Sequence, residues 1–261
     1  MRWVWLVVLA ACSAGDVGTR AAPKRSGDSL RVMSFNVNFG IAGDTATIDA
    51  IAAGDADIVL LQETNPTWAI AMIDRLDYKF RTFEQTDSWP AGGMGVLSRY
   101  PIVKVEKLRP PDGAPFFAWL VVIDTKLGQI QFVDVHLRPP MSDGGSWIVG
   151  YWSTREVRER EVVYHMAALD PKLPTIIAGD FNEENDGRAM TYLRDHGYHD
   201  AVAQFVGTKR TWEWPTSAMT LRFQLDHILY DEHFVPLSAA VLEAGNSDHK
   251  PIVADFIRVD P

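Results

Sequence analysis

Eight side chains in this sequence could share one chemistry: Asn36, Glu63, His136, Asp180, Asn182, Asp226, Asp248 and His249. Each sits at or close to the end of an apolar run that reads as a strand, where a rigid scaffold can present side chains to a shared cleft. Singly, each has a plain structural reading. Asn36 could cap a turn, Asp180 could form an Asx-turn before a helix, and His136 could be a satisfied core histidine. All eight at strand ends point to a site. Carboxylates and amides are hard oxygen donors of the kind magnesium takes, one or two carboxylates at a time with waters retained. A histidine beside a carboxylate is held in one tautomer and keeps its proton to higher pH.

The elements that must position these residues can be read from hydrophobic period. Residues 30–37 alternate as a half-buried strand. Residues 45–53 read as a helix capped by Asp44 or Thr45, and 57–62 form a continuous apolar run suited to a strand buried on both faces. Further strands are expected at 95–98, 103–107, 117–124, 130–135, 175–178, 224–229, 235–242 and 252–256. A charged helix is expected over 153–168, with Glu156, Arg158, Arg160 and Glu161 on its wet side. Many strands with fewer helices between them imply two packed sheets flanked by helices.

Seven segments, in order, carry a resemblance: Ser34-Phe35-Asn36-Val37, Asp57 to Thr64, Gly95-Val96-Leu97-Ser98-Arg99, Val133-Asp134-Val135-His136-Leu137, Ala178-Gly179-Asp180-Phe181-Asn182, Leu225-Asp226-His227-Ile228 and Ser247-Asp248-His249-Lys250-Pro251. Together they resemble the endonuclease/exonuclease/phosphatase superfamily, which spans deoxyribonucleases, repair endonucleases, neutral sphingomyelinases and inositol phosphatases. The resemblance implies a four-layer α/β sandwich of two packed, mainly antiparallel sheets flanked by helices, in agreement with the strand reading. It also implies divalent-metal-dependent hydrolysis of phosphate esters, with Mg2+ as the ion and Mn2+ or Ca2+ as substitutes.

The implied roles fall on matching positions. Glu63 is the principal metal ligand, with Asn36 and Asp248 completing the shell. Asp180 polarises the attacking water, and Asn182 holds that water or a phosphate oxygen. His136 and His249 contact the phosphoryl oxygens, and Asp226 accepts a hydrogen bond from His249. Phosphoryl transfer needs mainly charge neutralisation and positioning, which such a set supplies. Two departures narrow the subclass. His136 stands where apurinic-site repair enzymes usually carry tyrosine. Gln224-Leu225-Asp226-His227 replaces the family's frequent Arg-x-Asp-Tyr, so Arg222 is given no catalytic task and His227 is read as structural. Arg138, close behind His136, is a candidate phosphate-binding guanidinium, with a solvated turn as the plain alternative.

The net charge of −9 and the absence of a basic stripe disfavour an extended nucleic-acid surface. They do not exclude a nuclease, since a bound cation supplies local positive charge. Nucleic acid therefore stays among the candidate phosphoester substrates, beside lipid phosphodiesters and phosphomonoesters. A non-catalytic surface binding module of the same fold is the alternative from another class, and loss of one of the eight residues would mark it. None is lost. Aromatic residues Trp147, Tyr151 and Trp152, and separately Trp212 and Trp214, could rim the cleft or pack as ordinary loop anchors.

At the N-terminus, Met1-Arg2 precedes an apolar run and then small residues. This reads as a secretory signal peptide over 1–11, well short of the about 20 residues a spanning helix needs. Leu9-Ala10-Ala11-Cys12 resembles a bacterial lipobox, which implies lipidation of Cys12, a membrane anchor and an exported envelope lipoprotein. Ser13 resembles the outer-membrane sorting pattern. Cleavage near Ser13 into the periplasm or medium is the alternative. Cys12 is the chain's one cysteine, so no internal disulfide forms. Residues 12–28 read as a polar tether and 29–261 as one catalytic domain, acting as a monomer.

Overall fold

The computed structural model describes residues 22–25, 27–85, 89–109, 114–141, 145, 147–217 and 219–259. The signal peptide, Cys12 and most of the tether lie outside the described residues.

The first sheet takes β1 (Leu30–Asn36), β2 (Ile58–Gln62), β3 (Phe80–Glu84) and β4 (Met94–Ser98) from the N-terminal half. The second is built from β5 (Ile102–Leu108), β6 (Ala118–Thr125), β7 (Gly128–His136), β8 (Thr175–Asp180) and β9 (His199–Asp200). A separate hairpin of β10 (Trp212–Pro215) and β11 (Thr220–Phe223) follows. Next, β12 (Asp226–Tyr230) joins the second sheet, and β13 (Phe234–Val241) and β14 (Ile252–Arg258) return to the first. The sheet orders are β13-β14-β1-β2-β4-β3 and β5-β6-β7-β8-β12-β9. Each sheet is antiparallel except for one central pair, β1 with β2 and β7 with β8.

Period-two alternation divides the strands between three apolar layers. Leu30, Val32, Leu60, Phe132, Ile176 and Ile228 face the gap between the sheets. Met33, Phe35, Val59 and Leu61 face outward onto α1 (Thr45–Gly54) and α2 (Pro66–Arg75), with Ile48, Trp68 and Met72. Val133, Val135 and Ile177 face outward onto α4 (Arg155–Met166), which follows α3 (Trp147–Ser153), and onto α5 (Arg188–Asp195). A short α6 (Ala201–Val206) contributes Ala201 and Val202 to the inter-sheet core. The four-layer sandwich is thus the expected one.

Several expectations need correction. β1 is buried along its whole length rather than half-buried, because helices cover the face turned away from the second sheet. On α4, Arg158 and Glu161 are buried, not wet. Arg158 pairs with buried Glu183 (3.0 Å) and caps backbone carbonyls of Arg138 and Tyr151. A buried charge is tolerable only with such partners. Trp147, Tyr151 and Trp152 lie on a helix, α3, rather than in a loop. The end of the tether is docked: Arg31 Nη2 donates to the Pro23 carbonyl (2.6 Å) and Arg25 pairs with Asp57 (2.9 Å).

Gly179 shows how tightly the central parallel pair is set. Its φ is +149°, and a Cβ there would lie 2.0 Å from the Val135 carbonyl oxygen of β7. Backbone cannot yield as a flexible side chain would. Gly179→Ala is expected to destabilise the protein by roughly 2–4 kcal/mol, by analogy with overpacking and strained-backbone costs. Denaturant unfolding measures this; a loss under 0.5 kcal/mol would refute the close packing.

Candidate active site

The inner faces of the strands turn from apolar to polar at one end. Along β1, Leu30 and Val32 are followed on the same face by Ser34 and Asn36. On β7, Ile130 and Phe132 give way to Asp134 and His136, and on β8 Ile176 and Ala178 give way to Asp180. The polar ends therefore meet where the inter-sheet core stops, at the carboxyl ends of both parallel pairs. Gln62 staples the sheets beneath the site, donating from Nε2 to Asp134 Oδ1 (2.6 Å). Burial holds the Asp134 carboxyl well above the usual carboxylate range.

Asn36 is the hub. Its Nδ2 donates to Glu63 Oε1 (3.1 Å) and Asp180 Oδ2 (3.2 Å). Phe39 N–H donates to the other Glu63 oxygen (3.1 Å). Asp180 Oδ2 lies 3.5 Å from His249 Nε2 and 3.6 Å from His136 Nε2. On the far side of the ring, His249 Nδ1 donates to Asp226 Oδ2 (2.9 Å). Asp248 accepts from Asn38 Nδ2 (2.8 Å) and Trp212 Nε1 (3.0 Å). Ser247 Oγ donates to the Asn36 carbonyl (2.8 Å), tying this loop to the end of β1. Asn182 donates from Nδ2 to the Leu137 carbonyl (2.9 Å), and its N–H to Asp180 Oδ1 (2.9 Å).

A cavity of about 310 Å³ opens onto this cluster, lined by Glu63, His136, Asp180, Asn182, Asp248 and His249 together with Asn38, Phe116, Trp212 and Trp214. Three of the four non-glycine residues with positive φ among the described residues sit here: Asn38, Glu63 and Asn182. Backbone strain concentrated at one cleft accords with a functional site.

All eight sequence candidates thus converge, Asn36 and Asp226 as fully buried supports. Arg138 is fastened through its backbone, its N–H donating to Glu161 (3.0 Å); from that segment Pro139 and Met141 line the cleft. His227 is structural, bonded to Asp200 (2.7 Å) and the Glu183 carbonyl (2.9 Å). Sequence reasoning missed Asn38 and Phe116. Asn38 follows Asn36 by two positions and tolerates its positive φ as asparagine often does. Phe116 stacks on His136 at 4.1 Å, a contact with no local signal.

The electrostatics are those of a buried anion cluster. Burial pushes Glu63 up, against the Asn36 hydrogen bond. Burial likewise raises Asp180 to about 7, against the pull of His249. Burial would lower His249, but Asp226 and Asp180 outweigh it and push it up to about 10. Burial, reinforced by cationic His249, drives His136 down to about 3. Among the described residues, no lysine or arginine pairs with Glu63, Asp180, Asp226 or Asp248. Asp180, Asp226 and His249 bring ligand atoms within 4.8 Å of one another. An all-oxygen set on Glu63, Asn36 and Asp248, short of cationic partners, fits a hard divalent ion.

Two mixed six-stranded sheets with outer helices, opening on a carboxylate–histidine cleft, define an α/β sandwich of hydrolase type. The chain belongs to the Endonuclease/Exonuclease/phosphatase family, whose model matches residues 33–249. Members of this family commonly hydrolyse phosphoester bonds and depend on divalent metal ions. Solved structures share the fold at low identity. The human Nocturnin catalytic domain with bound sulfate is 18% identical, covering 88% of this chain and 95% of that one, with a TM-score of 0.67. Danio rerio (D. rerio) TDP2 complexed with single-strand DNA product is 18% identical over 88% and 99%, TM-score 0.68. An endonuclease/exonuclease/phosphatase from Beutenbergia cavernae is 18% identical over 88% and 72%, TM-score 0.68. No curated protein matches the chain.

Proposed function

We propose that this cleft is a magnesium-dependent phosphodiesterase. The observation that carries the reading is the chain Glu63–Asn36–Asp180–His249–Asp226, in which, among the described residues, no lysine or arginine takes part. Glu63, Asn36 and Asp248 would hold the ion, which when bound offsets the carboxylates and polarises a phosphoryl oxygen. Asp180, raised by burial to about 7 and so part-ionised at neutral pH, orients the attacking water and, as the carboxylate, draws its proton. Asn182 positions that water or a phosphate oxygen. His249, kept cationic by Asp226, faces the charge that develops on phosphorus-bound oxygens, and neutral His136 donates a hydrogen bond beside it. The Arg138 guanidinium is assigned a lesser, peripheral contact. Mn2+ or Ca2+ would substitute in part. The N-terminal signal and Cys12 support an exported, lipid-anchored protein. Among the described residues no helix is long and apolar enough to cross a membrane.

The test is turnover of bis-p-nitrophenyl phosphate, plasmid DNA, RNA, sphingomyelin and inositol phosphates, with magnesium or chelator. Chelator is expected to reduce diester turnover by at least roughly 10³-fold, as loss of several kcal/mol of charge stabilisation requires. Turnover indifferent to chelator, or confined to phosphomonoesters, would overturn the proposal.

A further inference from the structure

The hairpin of β10 and β11 belongs to neither large sheet, yet it carries four apolar side chains on one face. Trp212 pairs in register with Phe223 and Trp214 with Leu221, while Glu213 and Arg222 form an ion pair on the other face (3.1 Å). Trp212 and Trp214 line the catalytic cleft. Leu221 and Phe223 line a second cavity of about 290 Å³, whose far wall is Tyr151 and Trp152. The hairpin is thus a partition with an active site on one end of its apolar face and a second pocket on the other. Pro139 and Pro140, adjacent in sequence, line the cleft and the pocket respectively.

The pocket is built from flat, fixed rings. Phe223 stacks on Tyr151 at 5.7 Å and on Trp212 at 6.0 Å, and Trp212 lies 6.4 Å from His249. Tyr151 is pinned by its hydroxyl, which accepts from Glu184 N–H (3.3 Å), and by the Arg158 bond to its carbonyl. Trp152 is 63% exposed, with the Arg155 guanidinium 5.0 Å from its ring centre. The rim carboxylates are Glu184 and Asp186; Arg210 pairs with Glu184 (2.8 Å), and Arg155 donates to the Asp186 carbonyl. With Glu184 paired to Arg210 and the Arg155 guanidinium held near Asp186, the pocket can select by stacking more than by net charge.

We propose that this pocket is a substrate subsite that takes a planar heteroaromatic ring, such as a nucleobase, esterified to the phosphate held in the cleft. Its N–H edge would face Glu184 and Asp186. The proposal rests on the phosphodiesterase reading for the position of the phosphate. Stacking on exposed aromatic rings is sequence-tolerant and strong enough to discriminate a ring-bearing ester from one without. The subsite adjoins a chain with net charge −9, which favours a small diester over a long polyanion.

Thymidine 5′-(p-nitrophenyl phosphate) and methyl p-nitrophenyl phosphate share a leaving group and differ only in the ester that would enter the pocket. The full chain is expected to prefer the thymidine ester in kcat/KM by roughly tenfold or more, mainly through KM. Trp152→Ala, at the exposed wall of the pocket, and Leu221→Asp, at its half-buried wall, should collapse that preference and leave methyl-ester turnover unchanged. A preference near unity, or one that survives both variants, overturns the subsite. If neither ester is hydrolysed, the phosphodiesterase reading fails separately. Equilibrium dialysis of thymidine monophosphate then decides the subsite, binding lost in Trp152→Ala supporting it and absence of millimolar binding refuting it.

Discussion

Glu63→Gln is expected to abolish metal-supported hydrolysis, with kcat for bis-p-nitrophenyl phosphate down by roughly 10³-fold or more, while the fold stays intact. The substitution keeps the size of the side chain and an acceptor for Phe39 N–H. It removes an anion that the cleft holds largely out of water, with no lysine or arginine partner among the described residues. Because burial already disfavours the charged form of Glu63, the metal-free protein should lose no stability and could gain roughly 1 kcal/mol. The two effects separate a ligand from a structural carboxylate. Magnesium should raise the wild-type Tm through linkage, and that increment should vanish in the variant. A variant within tenfold of wild type, or one still stabilised by magnesium to the same extent, would remove Glu63 from the metal site.

The parts of this site legible in the sequence are those fixed by strand period. Asn36, His136 and Asp180 are the last residues of buried strands, and a period of two puts them on the face that carries the inter-sheet core. Their convergence follows once two sheets are expected to pack. Asp226 and the Ser247-Asp248-His249 loop were readable through the resemblance. What could not be read depends on tertiary packing. Arg158 and Glu161 sit on a helix that looks solvated by composition, yet the Glu183 and Arg138 contacts bury them. Helix α2 carries its own local signal, the Asn65 cap and Pro66 at the first turn, but lies outside the segments that motif reading favoured. Phe116 and the β10–β11 partition are positioned by residues 20 or more positions away in sequence. No local pattern encodes such a contact.

Asp226→Asn tests whether His249 works as a cation. In the wild type, burial pulls the His249 pKa down while Asp226 and Asp180 more than reverse it, to about 10. A histidine whose folded pKa is raised contributes stability in full below the unfolded value of about 6.5, and that contribution is lost as pH rises through about 10. Replacing Asp226 removes the carboxylate hydrogen-bonded to Nδ1 at 2.9 Å and leaves desolvation less opposed, so the His249 pKa must fall. The imidazole is then less protonated at neutral pH and no longer held in one tautomer. Turnover at pH 7 should drop by roughly 10³-fold, the size of a lost acid–base or charge-stabilising partner. The residual activity should peak at lower pH than in the wild type, because acid restores the cation. The acidic limb, set by Asp180 at about 7, should move less, because losing the Asp226 charge lowers Asp180 while losing cationic His249 raises it. A pH–rate profile together with the imidazole titration followed by NMR reads both quantities. If the rate falls while the basic limb stays in place, Asp226 orients His249 without holding its charge, and the neutral ring is the working form.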